Sequence, residues 1–330
     1  MKKVFAILVS LACLLGLVGC SEGAQPEAST QAAIDYTPFL CPWNTDVVAK
    51  AREDGKLHYY FMTAKELFEG RWGDSCLVVF PDGTTLLVDS GVKDYGPLLL
   101  LNLQRMGVTK LDYILITHPH SDHQNGVFHP DNLETGVLGQ IPVGKVFFAK
   151  IVTTGRDDHS YVEDACKAKG IDCEILEKGA TVQLTPQVSM EVLWPQPGTK
   201  DTVFETEQYN LVGNQNSMVT RFVFGQHRAL FAADLHKLGE LQCLSQNGAD
   251  KLKADLLKAP HHGQDTSSSP EFVAAVGAQV AVATGRAMVK DETRQIYELV
   301  GTELLDDRTY GYIHVEADEE GDLTYETSRS

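Results

Sequence analysis

Four metal-binding side chains fall within six residues of this chain: His118, His120, Asp122 and His123, in the run His118-Pro119-His120-Ser121-Asp122-His123. Imidazole nitrogens and a carboxylate together suit a borderline ion such as Zn²⁺, and Mn or Fe where further oxygens join. Tyr113 to Thr117, just upstream, is an apolar run that reads as a strand. A strand end would hold His118 still, and Pro119 would stiffen the turn that brings His120 around. Unpaired, these polar groups are poor company for so apolar a strand, and a solvated loop has no need of three histidines.

The elements that must position this motif alternate. Apolar and β-branched runs predict strands over 57–63, 76–80, 85–88, 113–117, 145–149, 191–194, 219–224, 229–232, 256–258 and 280–284. Periodicity predicts helices over 98–106, 161–169, 237–246, 270–276 and 292–299. Pro81-Asp82-Gly83 reads as a hairpin turn in which Gly83 takes a positive φ. Interleaving of this kind predicts an α/β sandwich of sheets covered outside by helices. No linker or repeat divides residues 37–330, which read as one catalytic domain.

The start of the chain reads differently. Lys2 and Lys3 precede an apolar run from Val4 to Leu17, broken only by Ser10 and Gly16, which is the pattern of a secretory signal over residues 1–19. Leu17-Val18-Gly19-Cys20 resembles the lipobox of bacterial lipoproteins, with Cys20 as the lipidated first residue of the mature protein. Residues 20–36, rich in Ala, Gln, Glu, Ser and Thr, then form a flexible tether. The expected location is the outer face of the cell membrane, or the outer membrane where the host has one, a sorting that Ser21 permits. Cleavage before Cys20 removes two lysines and no acid, taking the formal charge from −17 to −19. Such acidity disfavours binding of nucleic acid or anionic membrane by charge alone.

Beyond Cys13 and Cys20 lie Cys41, Cys76, Cys166, Cys173 and Cys243. Export permits disulfides, and Cys166 and Cys173, flanking a helix-ending Gly170, are the one candidate pair. Cys76 reads as a buried strand thiol. His129, His159, His227, His236 and His314 lack neighbouring ligands in sequence and read as surface or satisfied histidines. Trp43, Trp72 and Trp194 read as core or rim aromatics.

The run at 118–123 resembles the metallo-β-lactamase superfamily signature H-x-H-x-D-H. Further pieces follow in that family's order: Asp89-Ser90-Gly91, Asp234 after the strand at 229–232, and His261. Gly73-Asp74-Ser75, Asn216-Ser217, Ala259-Pro260-His261-His262-Gly263 and Ser267-Ser268-Ser269 resemble one branch, which includes the hydrolase domain of DNA-uptake competence proteins and bacterial surface phosphorylcholine esterases. The resemblance covers roughly residues 56–285. It implies an αββα sandwich and two divalent ions, Zn most readily and otherwise Mn or Fe. One ion would take His118 and His120, the other Asp122, His123 and His261, with Asp234 bridging. Asp122, Asp234 and His262 would serve catalysis, and Asp89 and Asn216 would support the ligands.

The chain departs from the family in two places. Between His159 and His227 there is no third histidine for the first ion; Asn214 and Asn216 stand there, so the His118/His120 site is expected to be the weaker. Near 285–291, where competence-like proteins carry tyrosine, glycine, histidine and proline, this chain has Arg286, Met288 and Lys290, and Arg286 and Lys290 are candidate phosphate contacts.

The expected function is an exported, lipid-anchored metallo-hydrolase using a metal-activated hydroxide, with a small-molecule or cell-surface ester as substrate, phosphodiesters and phosphomonoesters favoured. An extracellular competence-like nuclease and a weakly catalytic surface-binding lipoprotein are the rivals.

Overall fold

The computed structural model describes residues 34–64, 67–68, 70–156, 158–285 and 289–329. The signal segment, Cys20 and most of the tether, together with Arg286 and Met288, lie outside the described residues. Among the described residues no helix is long and apolar enough to cross a membrane.

Seventeen strands are described. The first nine are β1 (Leu57–Phe61), β2 (Cys76–Val79), β3 (Thr85–Val88), β4 (Leu111–Ile116), β5 (Val143–Phe148), β6 (Val152–Thr153), β7 (Asp172–Ile175), β8 (Thr181–Gln183) and β9 (Val188–Trp194). The remainder are β10 (Val203–Phe204), β11 (Val219–Phe224), β12 (His227–Phe231), β13 (Leu256–Lys258), β14 (Val280–Ala283), β15 (Glu303–Asp306), β16 (Ile313–Ala317) and β17 (Leu323–Thr327). They build an eight-stranded sheet in the order β17-β16-β1-β2-β3-β4-β5-β7 and a seven-stranded sheet in the order β15-β14-β13-β12-β11-β9-β8. A short β6–β10 pair stands apart.

The helices that matter for the site are α1 (Val47–Asp54), α2 (Gly96–Arg105), α3 (Ser121–Phe128), then the single turn α4 (Val137–Gln140), α5 (Tyr161–Lys169), α6 (Tyr209–Gln215) and α7 (Lys237–Asn247).

Three apolar layers explain the stacking. Tyr59 and Phe61 of β1, Val78 of β2 and Leu115 of β4 meet Met190, Phe222, Phe231 and Val282 of the second sheet between the two sheets. The alternate residues, Tyr60, Leu77 and Ile114, pack outward on Ala51, Leu99, Leu103 and Val162 of the first helical layer. Leu257 and Ala281 pack the other way, on Cys243, Phe272 and Tyr297. Covered on both faces, β1, β2 and β3 are buried at every position, which is why they read as unbroken apolar runs. This is the expected αββα sandwich.

The turn at Pro81-Asp82-Gly83 joins antiparallel β2 and β3 with Gly83 at φ +85°. Gly170, at φ +66°, caps α5. Cys166 and Cys173 are free thiols, as are Cys41, Cys76 and Cys243; burial and then the neighbouring Cys173 push the Cys166 thiol up. Trp72 and Trp194 are buried.

Candidate metal centre

β4 delivers His118 at its C-terminal end, and the chain turns at Pro119 into α3, whose first turn carries Asp122 and His123. The second sheet supplies the opposing wall. β12 ends at Asp234, preceded by Ala233 at φ +48°, and β13 runs into His261 and His262, at φ +46° and +57°. Left-handed backbone at three non-glycine residues stores strain where side chains must converge.

They do converge. Asp234 Oδ2 lies 3.2 Å from His123 Nε2, 3.4 Å from His262 Nε2 and 3.8 Å from His118 Nε2. His262 Nε2 is 3.3 Å from Asp122 Oδ2, and His118 Nε2 is 3.0 Å from His120 Nδ1. His123 Nε2, His262 Nε2 and Asp234 Oδ1 are buried with no hydrogen-bond partner. Buried polar atoms without partners are costly, and here they face one space lined by nitrogen and carboxylate oxygen, so the residues present fit divalent ions. His118, His120 and Asp234 make one ligand group; His123, His262, Asp234 and Asp74 make another.

His123 and His262 are braced from behind. His123 Nδ1 donates to Asp89 Oδ2 at 2.8 Å, while Asp89 also accepts from the Thr117 amide and hydroxyl, both at 2.8 Å. Asp89 thus has the orienting contact expected of it, from a left-handed position at φ +56°. His262 Nδ1 lies 3.0 Å from Asp74 Oδ1 and 2.8 Å from the Thr284 carbonyl. Buried Lys258 completes that wall, its Nζ 2.6 Å from Asp74 Oδ2. Gly213 allows His120 its place: a Cβ there would lie 2.3 Å from His120 Nε2.

The electrostatics follow from this packing. Burial pulls His118 well down and His120 to about 4. Burial alone would lower His123 and His262 too, but Asp234, with Asp89 beside the first and Asp74 beside the second, raises both well above the ordinary imidazole value. Asp234 itself is held well below the carboxylate range by His262 and His123, against its own desolvation.

Two of the expected residues make contacts that the sequence did not foretell. His261, expected as the second ion's ligand, turns its Nε2 3.8 Å from Asp234 and 3.3 Å from Asn214 Nδ2, while its Nδ1 meets Thr266 Oγ1 at 2.5 Å. The adjacent His262 also reaches this cluster, its Nε2 3.3 Å from Asp122 Oδ2 and 3.4 Å from Asp234 Oδ2. Asn216, expected to support the ligands, spends its amide on the Val212 carbonyl at the end of α6. Asn214 is the asparagine that reaches the site, through His236 at 2.9 Å and His261.

A cavity of about 570 Å³ opens over these groups, lined among others by Asp122, Asp234, Asn214, His236 and His261. Arg71 and Arg156 stand at its rim. Arg71 Nε is 3.5 Å from Asp122 Oδ2; Arg156 pairs with Asp158 and lies 4.1 Å over the Tyr209 ring. Lys290, the expected phosphate contact among the described residues, is exposed and paired with Asp265. Sequence reading missed Arg71, Arg156, Lys258 and His236. Of these only His236, two residues after Asp234, carried a local signal.

The family model described as the metallo-beta-lactamase superfamily matches residues 70–129, which contain Asp74, Asp89 and the whole histidine run. Over these residues the chain is similar to that superfamily, and the His and Asp groups gathered above are ones that could hold divalent ions. Among individual relatives, the competence protein ComA of Neisseria gonorrhoeae is 25% identical over 280 residues, covering 84% of this chain and 33% of its own length. The ComE operon protein 3 of Bacillus subtilis is 25% identical over 183 residues, covering 54% of this chain and 20% of its own length. The chain thus spans a third or less of these relatives. The metallo-beta-lactamase fold protein YhfI of Bacillus subtilis superposes with a TM-score of 0.48 at 13% identity, over 82% of this chain and 99% of its own.

Proposed function

We propose that this chain is an exported, lipid-anchored, zinc-dependent hydrolase of phosphodiesters or phosphomonoesters. The observation that carries the substrate class is the pair of guanidinium groups, Arg71 and Arg156, at the rim of a cavity floored by carboxylates and imidazoles. In a body of formal charge −17, two arginines over the centre favour an anionic group, and a guanidinium fork matches phosphoryl oxygens.

His118, His120 and Asp234 would hold one ion, and Asp122, His123, Asp234 and His262 the other. Bound there, divalent ions supply Lewis acidity and bring the pKa of water toward neutrality. The chain's own residues do the positioning. Asp89 fixes His123, Asp74 with Lys258 fixes His262, and Tyr209, its hydroxyl 2.9 Å from the Pro119 carbonyl, packs its ring against His120. Arg71 and Arg156 orient the anionic substrate, while His236 and Asn214 line its approach.

Export and anchoring rest on the sequence of residues 1–20. A competence-like nuclease is the second reading, favoured by the relatives' names and opposed by the acidity of the chain. The deciding experiment offers the zinc-loaded protein phosphodiesters, phosphomonoesters, lactones, β-lactams and single-stranded DNA. Phosphoester turnover that falls at least tenfold in Arg71→Ala and Arg156→Ala is the expected result; turnover confined to lactones or β-lactams would overturn it.

A further inference from the structure

On the outer strands of the eight-stranded sheet, beneath α1, two histidines far apart in sequence meet. The register of β1 on β16 pairs His58 with Glu316 and Tyr60 with His314, placing all four on one face; β17 adds Glu326 opposite His314. Both imidazoles are buried, and Trp43 closes over His314 at 6.1 Å between rings.

Each imidazole spends one nitrogen on a carboxylate. His58 Nε2 lies 3.0 Å from Asp54 Oδ1 of α1, and His314 Nδ1 lies 3.0 Å from Glu326 Oε1. The two remaining nitrogens, His58 Nδ1 and His314 Nε2, face each other at 3.0 Å, with Glu316 Oε2 3.7 Å from the former. A carboxylate accepts, so the outer nitrogens carry the protons. Neutral rings then present two bare lone pairs to each other, a repulsive contact unless a cation lies between them. A third proton would make one ring an imidazolium, which burial opposes.

We propose that His58, His314 and Glu316 form a second metal site, independent of the catalytic centre, for a borderline divalent cation such as Zn²⁺. Two neutral imidazoles and a carboxylate are a usual zinc donor set, and Asp54 and Glu326 hold the rings by their outer N–H groups, as second-layer carboxylates do in known metal sites. Lys50 and Lys56 now neutralise Glu316 at 2.9 and 2.5 Å. Both lysines reach solvent, so an arriving cation displaces Lys50 from Glu316 Oε2. The ion would fasten the β16–β17 pair onto β1, and binding only the folded chain it would stabilise the sheet edge.

The test counts zinc bound by the metal-stripped full chain after titration with Zn²⁺. His314→Gln is expected to hold one ion fewer than the wild type, and Asp234→Asn to retain that ion. The one-ion difference is read whether or not the catalytic centre fills, so failure of the hydrolase reading leaves it intact. Equal zinc counts in wild type and His314→Gln would overturn the proposal and leave an ordinary imidazole pair. Should His314→Gln fail to fold, Cu²⁺ serves as a probe in the wild-type chain. Quenching of fluorescence that disappears in Trp43→Phe supports the site, and identical quenching in both overturns it.

Discussion

At the scale of single residues, His261 and His262 are the two candidates for the last ligand of the proposed second ion. They are adjacent, equally able to bind metal, and differ in what stands behind them: Thr266 behind His261, Asp74 and Lys258 behind His262. A carboxylate behind an imidazole fixes its tautomer and raises its basicity, which is worth about 10–100-fold in metal affinity. His262→Ala is therefore expected to lose one ion and at least 100-fold in turnover, whereas His261→Ala keeps both ions and changes chiefly KM. Metal counting beside steady-state kinetics checks this; loss of an ion from His261→Ala alone would reverse the assignment. The pair also shows a limit of sequence reading, since a His-His dipeptide does not say which ring points inward.

At the scale of elements, α7 holds the loop that follows His262. Glu240 is buried there and accepts from the Ser268 and Ser269 amides, each at 2.6 Å, fixing Ser268 at φ +59°. Burial pushes the Glu240 carboxyl up to about 7, although both serines pull it down. The folded chain then holds a proton that the unfolded chain has released between about pH 4.5 and 7, so stability falls as pH rises through that window. The loss attributable to Glu240 is on the order of 2–3 kcal/mol. Denaturant titrations across pH 4–8 should show the decline in the wild type and a flatter profile in Glu240→Gln, and parallel profiles would contradict the argument. Asp307, raised to about 7 by burial, adds to the wild-type slope but is common to both proteins.

At the scale of the whole molecule, anchoring is expected to be separable from folding. The core layers lie within the described unit, residues 36–330, and Cys20 lies outside it. Acyl chains contribute about 0.8 kcal/mol per buried CH₂, so several chains hold a protein on a bilayer. Cys20→Ser should leave circular dichroism and zinc binding unchanged while the protein leaves the detergent phase or stalls unprocessed. Unchanged detergent partitioning would end the lipidation reading.

The sequence by itself determined what depends on near neighbours. The H-x-H-x-D-H run, the Gly83 turn, the Gly170 cap and the unbroken apolar strands are local patterns, and from them the sandwich and four of the candidate ligands followed. Beyond residue 300 it said nothing of β15, β16 and β17, whose mixed polar strands have neighbours only in the assembled sheet. Only the tertiary structure placed Lys258 under Asp74, Arg71 and Arg156 at one rim, and His58 against His314, 256 residues apart. The reason is physical: a lone histidine or arginine has no periodicity to mark it, and its chemistry comes from the groups that folding brings within about 3 Å of its nitrogens.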